Sequence, residues 1–143
     1  MADLVSLKEK VQSYLTESGP ISIDSDGDYS VEAGSSRVFV RIRDAADGAI
    51  SIVSVWAPVL YEVRPSPELW KYLALESDSW IFGHLVAIED DGGTVSILLG
   101  HRLLGDFLDR EELNWAVYGI VGAVDDLDDE LQAKFGGKRY VDS

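Results

Sequence analysis

The sequence predicts an α+β fold: a single antiparallel five-stranded sheet with three helices, in the order αβββαββα. Three observations lead there. Apolar residues recur at helical spacing in three stretches, the longest of them closing the chain. Between these lie stretches with a period of two, joined by turns too short for a parallel crossover. The strands come as a group of three and then a group of two, with one helix between, which is an α+β order.

The first helix carries Leu4, Leu7, Val11, Tyr14 and Leu15 on one face and stops at Gly19-Pro20. Ser6 and Glu9 have capping-box spacing, and Asp3 offers an earlier start. Asp24 to Asp28, DSDGD, reads as a tight polar turn before a strand. It also resembles the opening of a calcium loop. However, Tyr29 stands at the sixth position, where a sharp turn wants Gly, and Ser35 at the twelfth, where a bidentate Glu belongs.

Three strands follow, Asp28 to Ala33, Arg37 to Arg43 and Ile50 to Val63, in an antiparallel meander. In the second, Val38, Val40 and Ile42 point one way while Arg37, Phe39, Arg41 and Arg43 point the other. Asp47-Gly48 is a turn signal, and Pro58 argues for a bulge or an edge within the third. Ser66 and Pro67 then open the middle helix, Pro67 to Ser77. Its Leu69, Trp70, Tyr72, Leu73, Ala74 and Leu75 cover nearly the whole circumference. One sheet face cannot bury such a helix, so the long helices sandwich it or a partner chain covers its far side.

Trp80 to Glu89 reads as a strand apolar on both faces. Asp90 to Gly93 is the hairpin turn, and Thr94 to Leu99 the return strand. Leu103, Leu104, Phe107 and Leu108 fill the connector. The last helix, Asp109 to Phe135, has Asp109 as cap with Glu111 and Glu112 in its first turn. Leu113, Val117, Ile120, Val124, Leu127 and Leu131 draw one apolar stripe along about seven turns. Lys134 and Gly136 close it.

At 143 residues and 46% apolar content the chain, residues 1–143, suits one domain with its own core. Disorder is expected only in the last few residues. With no cysteine there is no disulfide, thiolate metal site or cysteine nucleophile. Charges in MADLVSLKEKVQ occupy the place of a signal peptide's apolar run, so a cytoplasmic location is expected. No apolar segment has the length to span a membrane. Twenty-six acidic against 12 basic residues give a formal charge of −14, which repels phosphate backbones and anionic lipid. Neither nucleic acid nor membrane is an expected partner.

The chemistry-bearing residues are sparse. His84 and His101 fall on successive hairpin strands and with a carboxylate could hold zinc, but no paired His-x-x-x-His spacing accompanies them. No Gly-x-Ser-x-Gly elbow or phosphate-cradling glycine loop is present. The acidic run Asp125, Asp126, Asp128, Asp129, Glu130 reads as a solvated helix face. No enzyme activity, metal or cofactor is therefore expected. The arginine row Arg37, Arg41, Arg43 has two readings: it satisfies neighbouring carboxylates, or it lines a groove for an acidic or extended peptide. Phe39, Arg41, Arg43, Trp56 and Trp80 are the candidate peptide-binding residues, with Tyr61, Phe82 and Trp115 as further aromatic supply.

The closing run carries a resemblance. Val95-Ser-Ile-Leu-Leu-Gly-His, LLGDFLDREELNWAV, the acidic DDLDDEL and Phe135-Gly-Gly together resemble the YbjN-like family. That family is similar in fold to the class I type III secretion chaperones, the CesT and Tir-chaperone group, and has the same αβββαββα order. The resemblance implies a small, acidic, cytosolic, often dimeric protein that holds a peptide segment of a client and performs no chemistry. It also implies homodimer pairing across the middle helix, through Leu69, Trp70 and Leu73. The client is not implied. An adaptor for one folded partner and a metal-dependent enzyme using His84 and His101 are the competing readings.

Overall fold

The computed structural model describes residues 3–143. Three helices, α1 (Leu4–Ser18), α2 (Pro67–Glu76) and α3 (Arg110–Phe135), accompany six strands. The strands are β1 (Ser22–Ile23), β2 (Tyr29–Ala33), β3 (Ser36–Ala45), β4 (Ile50–Val63), β5 (His84–Glu89) and β6 (Val95–Leu104). They form one antiparallel sheet in the spatial order β1-β2-β3-β4-β6-β5. The α+β class and the helix order are as the sequence predicts. The sheet has six strands rather than five, because Ser22 and Ile23 pair with Ser30 and Tyr29. Two residues are too few to carry a period.

One sheet face is closed by α1 and α3. The α3 stripe, Leu113 to Leu131, is buried against Val38 and Val40 of β3, Val53 and Val55 of β4, and Ile97 and Leu99 of β6. Burial alternates along β3, β4 and β6, as it must when only one face meets a core. The caps fix the helix starts. Asp109 accepts the Glu112 N–H at 2.7 Å, and Ser66 accepts that of Leu69 at 3.1 Å. Asp3 accepts the Ser6 N–H at 3.1 Å, so Asp3, not Ser6, caps α1.

Three boundaries differ from the sequence reading. Trp80 to Gly83 is not strand: Gly83 has φ +103°, and a Cβ there would sit 2.9 Å from Leu99, so this segment turns tightly onto the sheet. Leu103 and Leu104, read as connector, extend β6 against Val53 and Ile52. The end of the chain, where disorder is expected in the last few residues, crosses back over the sheet from Lys138. Tyr61 and Lys138 exchange both backbone hydrogen bonds, at 2.7 and 2.8 Å, and the Val141 N–H reaches the Ser35 carbonyl. The β3–β4 pairing stops at Phe39 and Trp56, which leaves the later stretch of β4 open on that side to take the tail as a neighbour.

The long helices do not sandwich α2, which lies beside β5, with the Leu85 N–H donating to the Ser77 carbonyl. Leu69 is fully buried in the protomer core, so it is not available to a second chain. Trp70 is 46% exposed and Leu73 partly exposed. The acidic run is also corrected: Asp128 is buried, with Oδ2 on the Ser35 hydroxyl and Oδ1 without a hydrogen-bond partner. The signal was in the sequence, since Asp128 falls four residues after Val124 and three before Leu131, on the stripe itself.

Candidate functional site: the open face of the sheet

The sheet face away from α1 and α3 is built by the other half of each alternation. Register places Phe39, Trp56, Gly100 and His84 in one row across β3, β4, β6 and β5. The next row is Arg41, Ser54 and Arg102. Directly opposed residues in an antiparallel sheet share a face, so these rows are continuous surfaces.

At the β3 end the face is packed. Phe39 stacks on Trp56 with ring centroids 5.4 Å apart, and Tyr140 from the returning tail sets its edge on Phe39 at 6.1 Å. Arg41 lies 5.2 Å from the Trp56 ring centroid and grips Asp28 with two hydrogen bonds. Those bonds, chiefly, raise the Arg41 pKa above its usual value. Arg37 donates to the hydroxyls of Ser30 and Ser22.

Towards β5 the face opens into a shallow groove of about 500 Å³. Trp56, Val86, Leu98 and Ile88 give it apolar walls, and Arg102 and His84 its polar rim. Val86 and Ile88 are about half exposed, which for large apolar strand residues marks a surface without a cover in the protomer.

The expected site residues divide. Phe39, Arg41 and Trp56 come together. Arg43 lies on the same face opposite Ile52, exposed and beyond the groove. Trp80 does not join them: it lies beside Gly119, Gly122 and Ala123 of α3, on the helical side, because the turn at Gly83 carries it off the sheet. Sequence reading missed Val86, Leu98, Gly100 and Arg102. Their alternation was visible, but the pairing that brings them beside Trp56 was not.

The histidines separate too. His84 Nε2 lies 2.9 Å from Asp78 on the exposed rim. His101 is opposite buried Val55, its ring edge on Phe82, and its Nδ1 accepts the Gly83 N–H. Burial, with a smaller effect from His84, lowers the His101 pKa. Among the described residues they form no three-ligand group with a carboxylate. The group that does form is Asp24, Asp26 and Asp28, with carboxylate oxygens within 4.8 Å of one another. Its oxygens serve the fold: Asp24 accepts the Asp26 and Asp28 N–H groups, and Asp28 holds Arg41.

No curated protein matches the chain. Among solved structures it is similar to YbjN from E. coli, a proposed transcription regulator. The identity is 14% and the TM-score 0.59, over 90% of this chain and 93% of that one. At that identity the likeness is one of fold. The family model of T3SS (YopN, CesT) and YbjN peptide-binding chaperone 1 matches residues 5–143, and the chain therefore belongs to this family of peptide-binding chaperones.

Proposed function

We propose that residues 1–143 act as one non-enzymatic, chaperone-like module that holds an extended segment of a client protein against the open sheet face. The observation that carries this reading is the groove beside Trp56, where Val86 and Ile88 stand half exposed in a strand. Strand addition gives such a segment a second hold. The Leu85 N–H points outward to Ser77, so by alternation the backbone of Ala87 and Glu89 also faces the free edge. We further propose a cytoplasmic homodimer paired through Trp70 and Leu73, since Trp70 and its neighbour Leu75 stand exposed on a short helix. No helix among the described residues is long and apolar enough to cross a membrane.

A second reading, an adaptor for one folded partner, draws on Ile81, Phe107 and Trp115, which are exposed elsewhere on the surface. One experiment separates the two: capture from source-cell lysate on wild-type protein and on a Val86→Asp, Ile88→Asp variant, with partners read by mass spectrometry. Clients retained by the wild type and lost by the folded variant support the groove. The same partners on both baits overturn it in favour of the adaptor.

A further inference from the structure

The groove has a charge that the rest of the molecule does not. The chain carries 26 acidic residues and a formal charge of −14, yet no Asp or Glu lines the groove. Its basic side chains are Arg102 and His84, of which His84 already has Asp78 beside it at the rim. The two arginines that flank Ser54 differ in state. Arg41 is committed, held by Asp28 and laid over Trp56. Arg102 is exposed and, among the described residues, has no salt-bridge partner. An exposed guanidinium beside apolar walls retains its full donor fork for a carboxylate.

The floor has room for a side chain. Gly100 sits between Trp56 and His84 in its row, and a Cβ there would meet nothing nearer than Trp56 Cβ at 3.9 Å. An extended segment places alternate side chains on one side, roughly 6.5 Å apart. One apolar residue over Gly100 then sets its second neighbour at the Ser54–Arg102 row.

We propose that the groove selects extended segments in which apolar and acidic residues share one face, the apolar side chain seated over Gly100 and the carboxylate on Arg102. This rests on the peptide-binding reading above and names the class of segment it takes. The selection runs against the molecule's overall charge, which attracts basic segments at long range but is screened beyond roughly 8 Å at physiological salt.

The test uses three fluorescein-labelled peptides whose binding face alternates Leu with Glu, Gln or Lys, titrated against the full chain at about 0.15 M salt by fluorescence anisotropy. The Leu-Glu probe is expected to bind tightest, about tenfold over Leu-Gln. Arg102→Gln should remove that preference, bringing the Leu-Glu probe to about the affinity of Leu-Gln. Gly100→Val, which the backbone accommodates, should weaken all three. Equal affinity for the Glu and Gln probes, tightest binding by the Lys probe, or a preference that survives Arg102→Gln overturns the inference while peptide binding stands. Failure of every probe to bind overturns both.

Discussion

The carboxylate of Asp28 accepts two hydrogen bonds from the guanidinium of Arg41, at 2.8 and 2.7 Å. Asp28 is buried, whereas the Arg41 side chain is half exposed. The pair ties the acidic turn ahead of β2 to the middle of β3 and holds Arg41 over Trp56. Asp28→Ala should therefore destabilise the protein by about 1–2 kcal/mol in urea unfolding, discounted from a fully buried pair because Arg41 keeps water contact. Arg43→Ala, on an exposed residue of the same strand, should change stability by less than about 0.5 kcal/mol. Equal effects of the two substitutions would remove the pair's structural role.

Ser35 has one hydroxyl proton and two carboxylates beside it, Asp125 at 2.8 Å and the buried Asp128. One hydroxyl proton cannot serve both carboxylates at once, and the second oxygen of Asp128 has no hydrogen-bond partner at all. Desolvation raises the Asp128 pKa above its usual value, the Ser35 bond opposes this, and Asp129 and Asp125 add to the rise. With the folded pKa raised, the native state binds the proton more tightly than the unfolded chain. The stability this contributes is present below the usual carboxylate pKa and lost as pH rises through the folded one. Asp128→Asn should then stabilise the protein by about 1 kcal/mol at neutral pH and little in acid. Thermal melts of both proteins across that range decide it; parallel pH profiles would contradict the assignment.

The α3 stripe should dominate stability. Ile120 is fully buried, so Ile120→Ala should cost about 2–5 kcal/mol. Trp115, on the same helix, is 67% exposed, and Trp115→Ala should stay within about 0.5 kcal/mol. Chemical denaturation of the two variants measures the contrast, and comparable losses would mean that Trp115 is covered in solution.

Trp70→Glu should halve the mass measured by light scattering while leaving the circular dichroism spectrum unchanged, because Trp70 lies outside the protomer core. A wild type that is monomeric at all concentrations would end the dimer proposal. Unfolding of the variant would mean that Trp70 carries core packing its exposure does not suggest.

What was legible in the sequence follows from how each feature is encoded. The α3 stripe and its Asp109 cap repeat over seven turns, and the Arg-Phe-Arg-Arg alternation of β3 needs only neighbours in sequence. Strand β1 has two residues and no pattern. Trp80 to Phe82 is as apolar as a strand, and only the left-handed Gly83 makes it a turn. The groove is the least local feature. Trp56 meets Gly100, and Ser54 meets Arg102, through the pairing of β4 with β6, strands that α2 and β5 separate in sequence. Composition and alternation do not encode that register, so Arg41 and Arg43 were visible as candidates and Arg102 was not.

The central position of β4 also sets an order on synthesis. Its β3 side can pair as soon as Val63 is made, because that hairpin is local. Its other side waits for β6, its apolar face for α3, and its Tyr61 backbone for Lys138. A ribosome must therefore add about 50 residues after Val63 before Leu113 opens the α3 stripe, and until then Val53 and Val55 lack that cover. Long-range pairing of this kind folds slowly and leaves sticky nascent intermediates. The chain would thus need shelter during its own translation, and fragments ending before Asp109 would be the species most prone to aggregate.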